Sequence, residues 1–294
     1  MLNDRLKNHI HLNFIVFIWG FTAVLGVLIS IDAIPLVWYR MLLAVGFITL
    51  YTILKKIPLK VPKQTLLGLI VTGIIIALHW ITFFMAIKVS NVSVTLAIMS
   101  TGALFAALLE PIWYKRKVIW YEVMFGFIMI IGLYIIFKIE TNYILGIILA
   151  LISTFLSTVF AMINSKYVKQ YRASVISFYE LLSGVVFLSL YFLISKGFNM
   201  EFFNLKANDW LYLIILASVC TSYAFIAGVH VMRILSPYTV MLTINLEPVY
   251  GIILAFFILG DHEKMSSQFY VGALIILLTV VANGIIKNFF KKKN

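Results

Sequence analysis

Long apolar runs alternate with short polar breaks along the whole chain. The runs cover residues 12–30, 34–54, 64–87, 91–113, 119–138, 143–165, 174–195, 209–232, 237–259 and 267–289. Each is about 20 residues long, the length an α-helix needs to cross the hydrocarbon core of a bilayer. The pattern predicts an all-α integral membrane protein of ten transmembrane helices. The first run, from Leu12 to Ile31, exceeds a signal-peptide core and is followed by no small-x-small cleavage pattern, so it reads as a retained span.

Composition agrees. Of 294 residues, 63% are hydrophobic and only 12% charged, against roughly 25% charged in soluble domains. The net charge of +12 is spread in small clusters between apolar runs, which argues against nucleic acid as a partner and for the bilayer. Counted over alternate connections, seventeen Lys and Arg fall on one side and five on the other, with Arg40 inside a span. The basic side is expected to be cytoplasmic, with both termini there and the protein in the cell membrane. Lys115-Arg116-Lys117 and Lys291-Lys292-Lys293 fit headgroup anchors on that side. Cys220 is the only cysteine, which excludes an internal disulfide and a cysteine metal cluster. No Walker loop, His-Glu-x-x-His helix or Gly-x-Ser-x-Gly elbow occurs, so no cofactor and no ATP-driven step is expected.

The chain also resembles itself. Ser90 and Gly126 correspond to Ser236 and Gly272 at one offset of 146, and Tyr39-Arg40-Met41-Leu42 resembles Tyr179-Glu180-Leu181-Leu182 at 140. This divides the chain into five-helix repeats, residues 1–140 and 141–294. An odd helix number makes the second repeat enter the membrane from the opposite side. Inverted repeats are a recurring architecture of secondary transporters, with the site near midplane.

Short motifs carry a resemblance to a known family. Trp19-Gly20, Trp38-Tyr39-Arg40-Met41-Leu42-Leu43-Ala44, and Asn245-Leu246-Glu247-Pro248-Val249 followed by Gly260-Asp261 and Gly272-Ala273-Leu274-Ile275 resemble the drug/metabolite transporter superfamily, EamA type. Gly260-Asp261 stands where that family usually has Gly-Glu. The resemblance implies a ten-helix exporter or exchanger of small metabolites, with a cavity between the halves and proton or counter-solute coupling. A lipid flippase and a membrane-embedded lipid-modifying enzyme are the alternatives. Glu110-Pro111 looks like a first-half copy of Glu247-Pro248, but the offset of 146 pairs the latter with Thr101-Gly102 instead.

Intramembrane charges cost roughly 2.5–3.5 kcal/mol each on insertion scales, so they mark candidate sites. Glu247 lies near midplane, and Pro248 frees the carbonyl of Ile244. It is a substrate contact or protonatable coupling group, or else a neutral or bonded Glu in a kinked helix. Thr101 falls at the matching depth in the first half. Asn245 and Tyr250 flank Glu247, with Tyr250 on its face. Arg40 lies roughly 9 Å into its helix and reaches either a cavity or the outer surface. Glu180 occupies the matching place in the second half and forms either a conformation-dependent ion pair with Arg40 or a local interhelical bond. His79 is a proton relay or a packed histidine, Trp80 a cavity wall, and Trp19 a cavity wall or simple packing. Asn91-Val92-Ser93 matches a glycosylation sequon close to the membrane, read as accidental.

Overall fold

The computed structural model describes residues 4–115, 117, 119–139, 141–231, 233–235, 243–244 and 246–291, and these are helical with no strand among them. In chain order the helices are α1 (Asp4–Leu28), α2 (Ala33–Leu54), α3 (Lys63–Val89), α4 (Val92–Met99), α5 (Gly102–Tyr114), α6 (Trp120–Ile139), α7 (Ile144–Tyr167), α8 (Ala173–Ile194), α9 (Met200–Phe203), α10 (Ala207–Ala217), α11 (Ala224–Val231), α12 (Glu247–Leu259) and α13 (Ser267–Lys291). A π-helical segment, Ser218–Tyr223, joins α10 to α11 without a break in the helix.

Among the described residues, seven helical segments are long and apolar enough to cross a membrane: Leu6–Leu28, Ala33–Leu54, Lys63–Val89, Val92–Trp113, Thr141–Tyr167, Ala173–Ile194 and Ala207–Val231. Three shorter apolar helices accompany them, Val123–Lys138, Glu247–Leu259 and Ser267–Asn283. Large apolar side chains such as Leu54, Ile112, Ile194 and Phe257 point outward and are mostly exposed. Water would penalise such a surface, whereas lipid accepts it.

The helices exchange partners in pairs. α3 packs along α7 while α1 packs along the α10–α11 helix; α3 meets α8 while α2 meets α10; α1 meets α12 while α7 meets α4 and α5. The remaining large contacts are α2 with α8, α4 with α12, and α6 with α13. Glycines let several of these backbones approach closely, as membrane helix pairs require. A Cβ on Gly20 would lie 2.9 Å from the Gly251 nitrogen, and one on Gly132 would lie 3.0 Å from the Gly272 carbonyl oxygen.

Polar ties gather at the two ends of α3. At its C-terminal end, Lys88 donates to the Ile29 carbonyl at 3.0 Å, and Asp209 accepts from the Ser30 N–H and hydroxyl, each at 2.7 Å. There the buried Glu263 carboxylate also accepts from the Val92 and Ser93 N–H groups and from the Ser93 hydroxyl, at 3.1, 2.9 and 2.8 Å. These donors are the open first turn of α4, where an anion is favoured. At the opposite end, Thr65 meets the Tyr171 hydroxyl at 3.0 Å, Tyr179 donates to the Leu59 carbonyl at 2.6 Å, and Arg233 donates to the carbonyls of Val168 and Tyr171. Asn91 caps α4 by accepting from the Val94 N–H at 2.8 Å and is buried. That assigns the sequon's asparagine a structural role.

Candidate functional site

The interior does not fill. A cavity of about 160 Å³ lies among α1, α2, α3, α7, α11 and the start of α12. Trp19, Trp80, Phe83, Phe160 and Phe225 wall it, and its polar groups are Thr22, Arg40, His79, Ser157, Asn164 and Glu247.

Arg40 projects inward rather than to the surface. It is 2% exposed, and its Nε donates to Thr221 Oγ1 at 2.7 Å. Its guanidinium carbon stands 3.9 Å from the centre of the Trp80 ring and 5.6 Å from that of Phe84. Cation–π contact and one charge-assisted hydrogen bond thus replace water around the cation. Nη1 has no hydrogen-bond partner among the described residues. The π segment makes this possible. There the hydroxyls of Thr221 and Ser222 bond back to the carbonyls five residues earlier, Leu216 and Ala217, at 2.7 Å each. The widened turn presents Thr221 to Arg40 on α2, and π-bulges are frequent at functional sites.

Glu247 is the first residue of α12 and lines the same cavity as Arg40. Pro248 is the second residue of the helix, where its missing N–H costs nothing. It therefore opens a helix rather than kinking one. The first half breaks at a comparable place without a proline. α4 ends at Met99, and α5 starts at Gly102 after Ser100 and Thr101. Both α5 and α12 are 13 residues long.

His79 Nδ1 lies 2.9 Å from the Ser153 carbonyl and 2.8 Å from its hydroxyl, and that hydroxyl donates to the His79 carbonyl at 3.0 Å. The imidazole is thereby fixed to α7 while its ring lines the cavity. Trp19 fits because its partner is glycine: a Cβ at Gly228 would lie 2.8 Å from the indole edge.

Of the nine residues singled out from sequence, Trp19, Arg40, His79, Trp80 and Glu247 line the cavity together. Thr101 and Tyr250 are not among the lining residues. Thr101 is fully buried and donates to the Ile98 carbonyl at 2.8 Å, and Tyr250 packs edge-on against Phe17 at 5.7 Å between ring centres. Asn245 lies outside the described residues. Glu180 is fully buried on α8, facing Asn164 rather than Arg40, so the two charges do not pair in this state. Sequence reasoning missed Thr22, Ser157, Asn164 and the π-segment Thr221. Ser153, Ser157 and Asn164 share one face of α7, and that small polar stripe in an apolar helix was the available signal.

The EamA-like transporter family matches residues 10–138 and 144–284. An uncharacterized transporter of Archaeoglobus fulgidus is 24% identical over 281 residues, covering 93% of this chain and 96% of that protein. A solved crystal structure with 12% identity superposes with a TM-score of 0.67 over 94% of this chain and 96% of its own, which shows a shared fold. With the family matching nearly the full length, the chain belongs to the EamA-like transporter family.

Proposed function

We propose that the protein is a secondary transporter of small metabolites, an exporter or exchanger, built from ten helices in two inverted five-helix repeats. It works by alternating access around the central cavity. The observation that carries this reading is that both halves feed polar groups into one cavity: Arg40 and His79 from the first, Asn164 and Glu247 from the second. A site shared between repeats is what rocking one half against the other opens to each side in turn.

Other features support it. Exchanging α1–α6 for α7–α13 turns each major helix pair into another pair or into itself, as a twofold relation requires. The matched half-helices α5 and α12 support a site where helix ends meet at mid-depth. The ties at the two ends of α3 are suited to serve as gates, each closing one side. The Lys and Arg asymmetry supports placing both termini in the cytoplasm.

The ionisable groups converge on the interior rather than on one interface, which favours a soluble solute over lipid chemistry. The cavity volume is below the 300–1,000 Å³ or so common for drug-sized ligands. The solute is therefore small, with an acceptor for Arg40 Nη1 and a group that Glu247 attracts.

The test uses a metabolite identified by comparing export with and without expression. Wild type and Glu247→Gln are reconstituted in liposomes and assayed for counterflow of that metabolite. The expected result is a loss of counterflow of about tenfold or more, the scale of one 1.4 kcal/mol interaction. Unchanged counterflow and pH response remove Glu247 from the mechanism.

A further inference from the structure

Buried polar atoms without a hydrogen-bond partner gather in one place. Both carboxyl oxygens of Glu180, both amide atoms of Asn164 and the hydroxyl of Ser177 are in this condition. Glu180 and Ser177 are 0% exposed and lie one turn apart on the same face of α8, and Asn164 is 1% exposed. The Asn164 amide on α7 is the polar side chain nearest the Glu180 carboxyl on α8, and no well-formed hydrogen bond joins them. Asn164 also borders the cavity, so it connects the carboxyl to the transport site.

Among the described residues, no cation forms an ion pair with Glu180. Arg40 on α2 is engaged by Thr221 and Trp80. On α3, His79 is bonded to Ser153, and Lys63 and Lys88 stand at the helix ends. His230 on α11 is exposed, Lys166 on α7 lies over Trp113, and Tyr179 turns to the Leu59 carbonyl. A lone carboxylate here costs several kcal/mol. The chemistry of the two groups offers a way to avoid that cost. A neutral carboxylic acid and a carboxamide form a two-bond ring: the acid O–H donates to the amide oxygen, and the amide N–H donates to the acid carbonyl. A carboxylate accepts only the second bond and leaves the amide oxygen facing a negative oxygen.

We propose that Glu180 and Asn164 form a proton-binding pair, in which Glu180 is held as the neutral acid while the interior around it is closed to water. When that interior opens, cavity water reaches Glu180, which releases one proton to that water and becomes a carboxylate. The pair deepens the transport reading by naming its coupling ion. Its protonation is measured without any transported solute, so failure of one is distinguishable from failure of the other.

The experiment is infrared spectroscopy of the full chain in lipid vesicles at neutral pH. The expected result is a protonated-carboxyl C=O band that is lost in Glu180→Gln, retained in Glu247→Gln, and moved to higher wavenumber in Asn164→Leu as its hydrogen bond is lost. The glutamine keeps a planar head for Asn164 to pair with, and the Asn164→Leu shift is read in a protein that retains Glu180. Only carboxylate stretches from Glu180, or a band indifferent to Asn164, would overturn the proposal. So would a band that emerges only when sodium is replaced by choline, since it would make the pair a cation site.

Discussion

Arg40 and Glu180 stand 140 residues apart at matching places in α2 and α8, and they meet the same problem in opposite ways. Arg40 keeps its charge because it borders the cavity, where the Trp80 face and the Thr221 hydroxyl replace water. Glu180 sits where helices press together, with the α3 backbone at Gly73 against its own carbonyl, and the polar side chain nearest its carboxyl is a neutral amide. Burial alone therefore does not decide what an intramembrane charge does. A delocalised cation over an aromatic ring can stay ionised, whereas a compact carboxyl in a tight helix crossing is stable only as the acid.

Two substitutions probe this contrast, the larger effect first. A Cβ at Gly73 would come within 2.2 Å of the Glu180 carbonyl oxygen and 2.8 Å of Ser183 Cβ. Because the first obstacle is backbone, Gly73→Ala is expected to cost more than the ~1–3 kcal/mol of ordinary overpacking. Thermal unfolding in detergent measures this, and a melting temperature equal to wild type would mean that α3 and α8 are not in this contact. Thr221→Val removes one charge-assisted bond but leaves the Trp80 contact, so a smaller loss of ~1.5–3 kcal/mol is expected by the same assay. A loss as large as that of Gly73→Ala would show that Thr221, not the aromatic face, holds Arg40 in place.

The spans were legible because apolar runs of bilayer length leave little freedom in assignment. α2, α3, α7 and α8 begin and end within about three residues of their runs. Five site residues were legible for a related reason: a charge, an imidazole or an indole in an apolar run is conspicuous. The π segment was not, because Ser218–Tyr223 has the composition of any small polar helical stretch and its extra residue per turn is a backbone property. Asn164 was passed over because it lies near Lys166 at the end of its run, where polar residues are ordinary. The role of Glu180 was legible only as a choice of partners. Chain position put it opposite Arg40, and three-dimensional packing turned it toward Asn164.

The central claim is that one cavity between the two halves opens in turn to each side of the membrane. Ser157 lines that cavity and can be replaced by cysteine in a Cys220→Ser background. Vesicles of that protein are then treated with a membrane-impermeant maleimide from outside or from inside. The account expects labelling from both sides, with protection from both by a solute that occupies the cavity. Labelling from one side only, under every condition that supports transport, would contradict it.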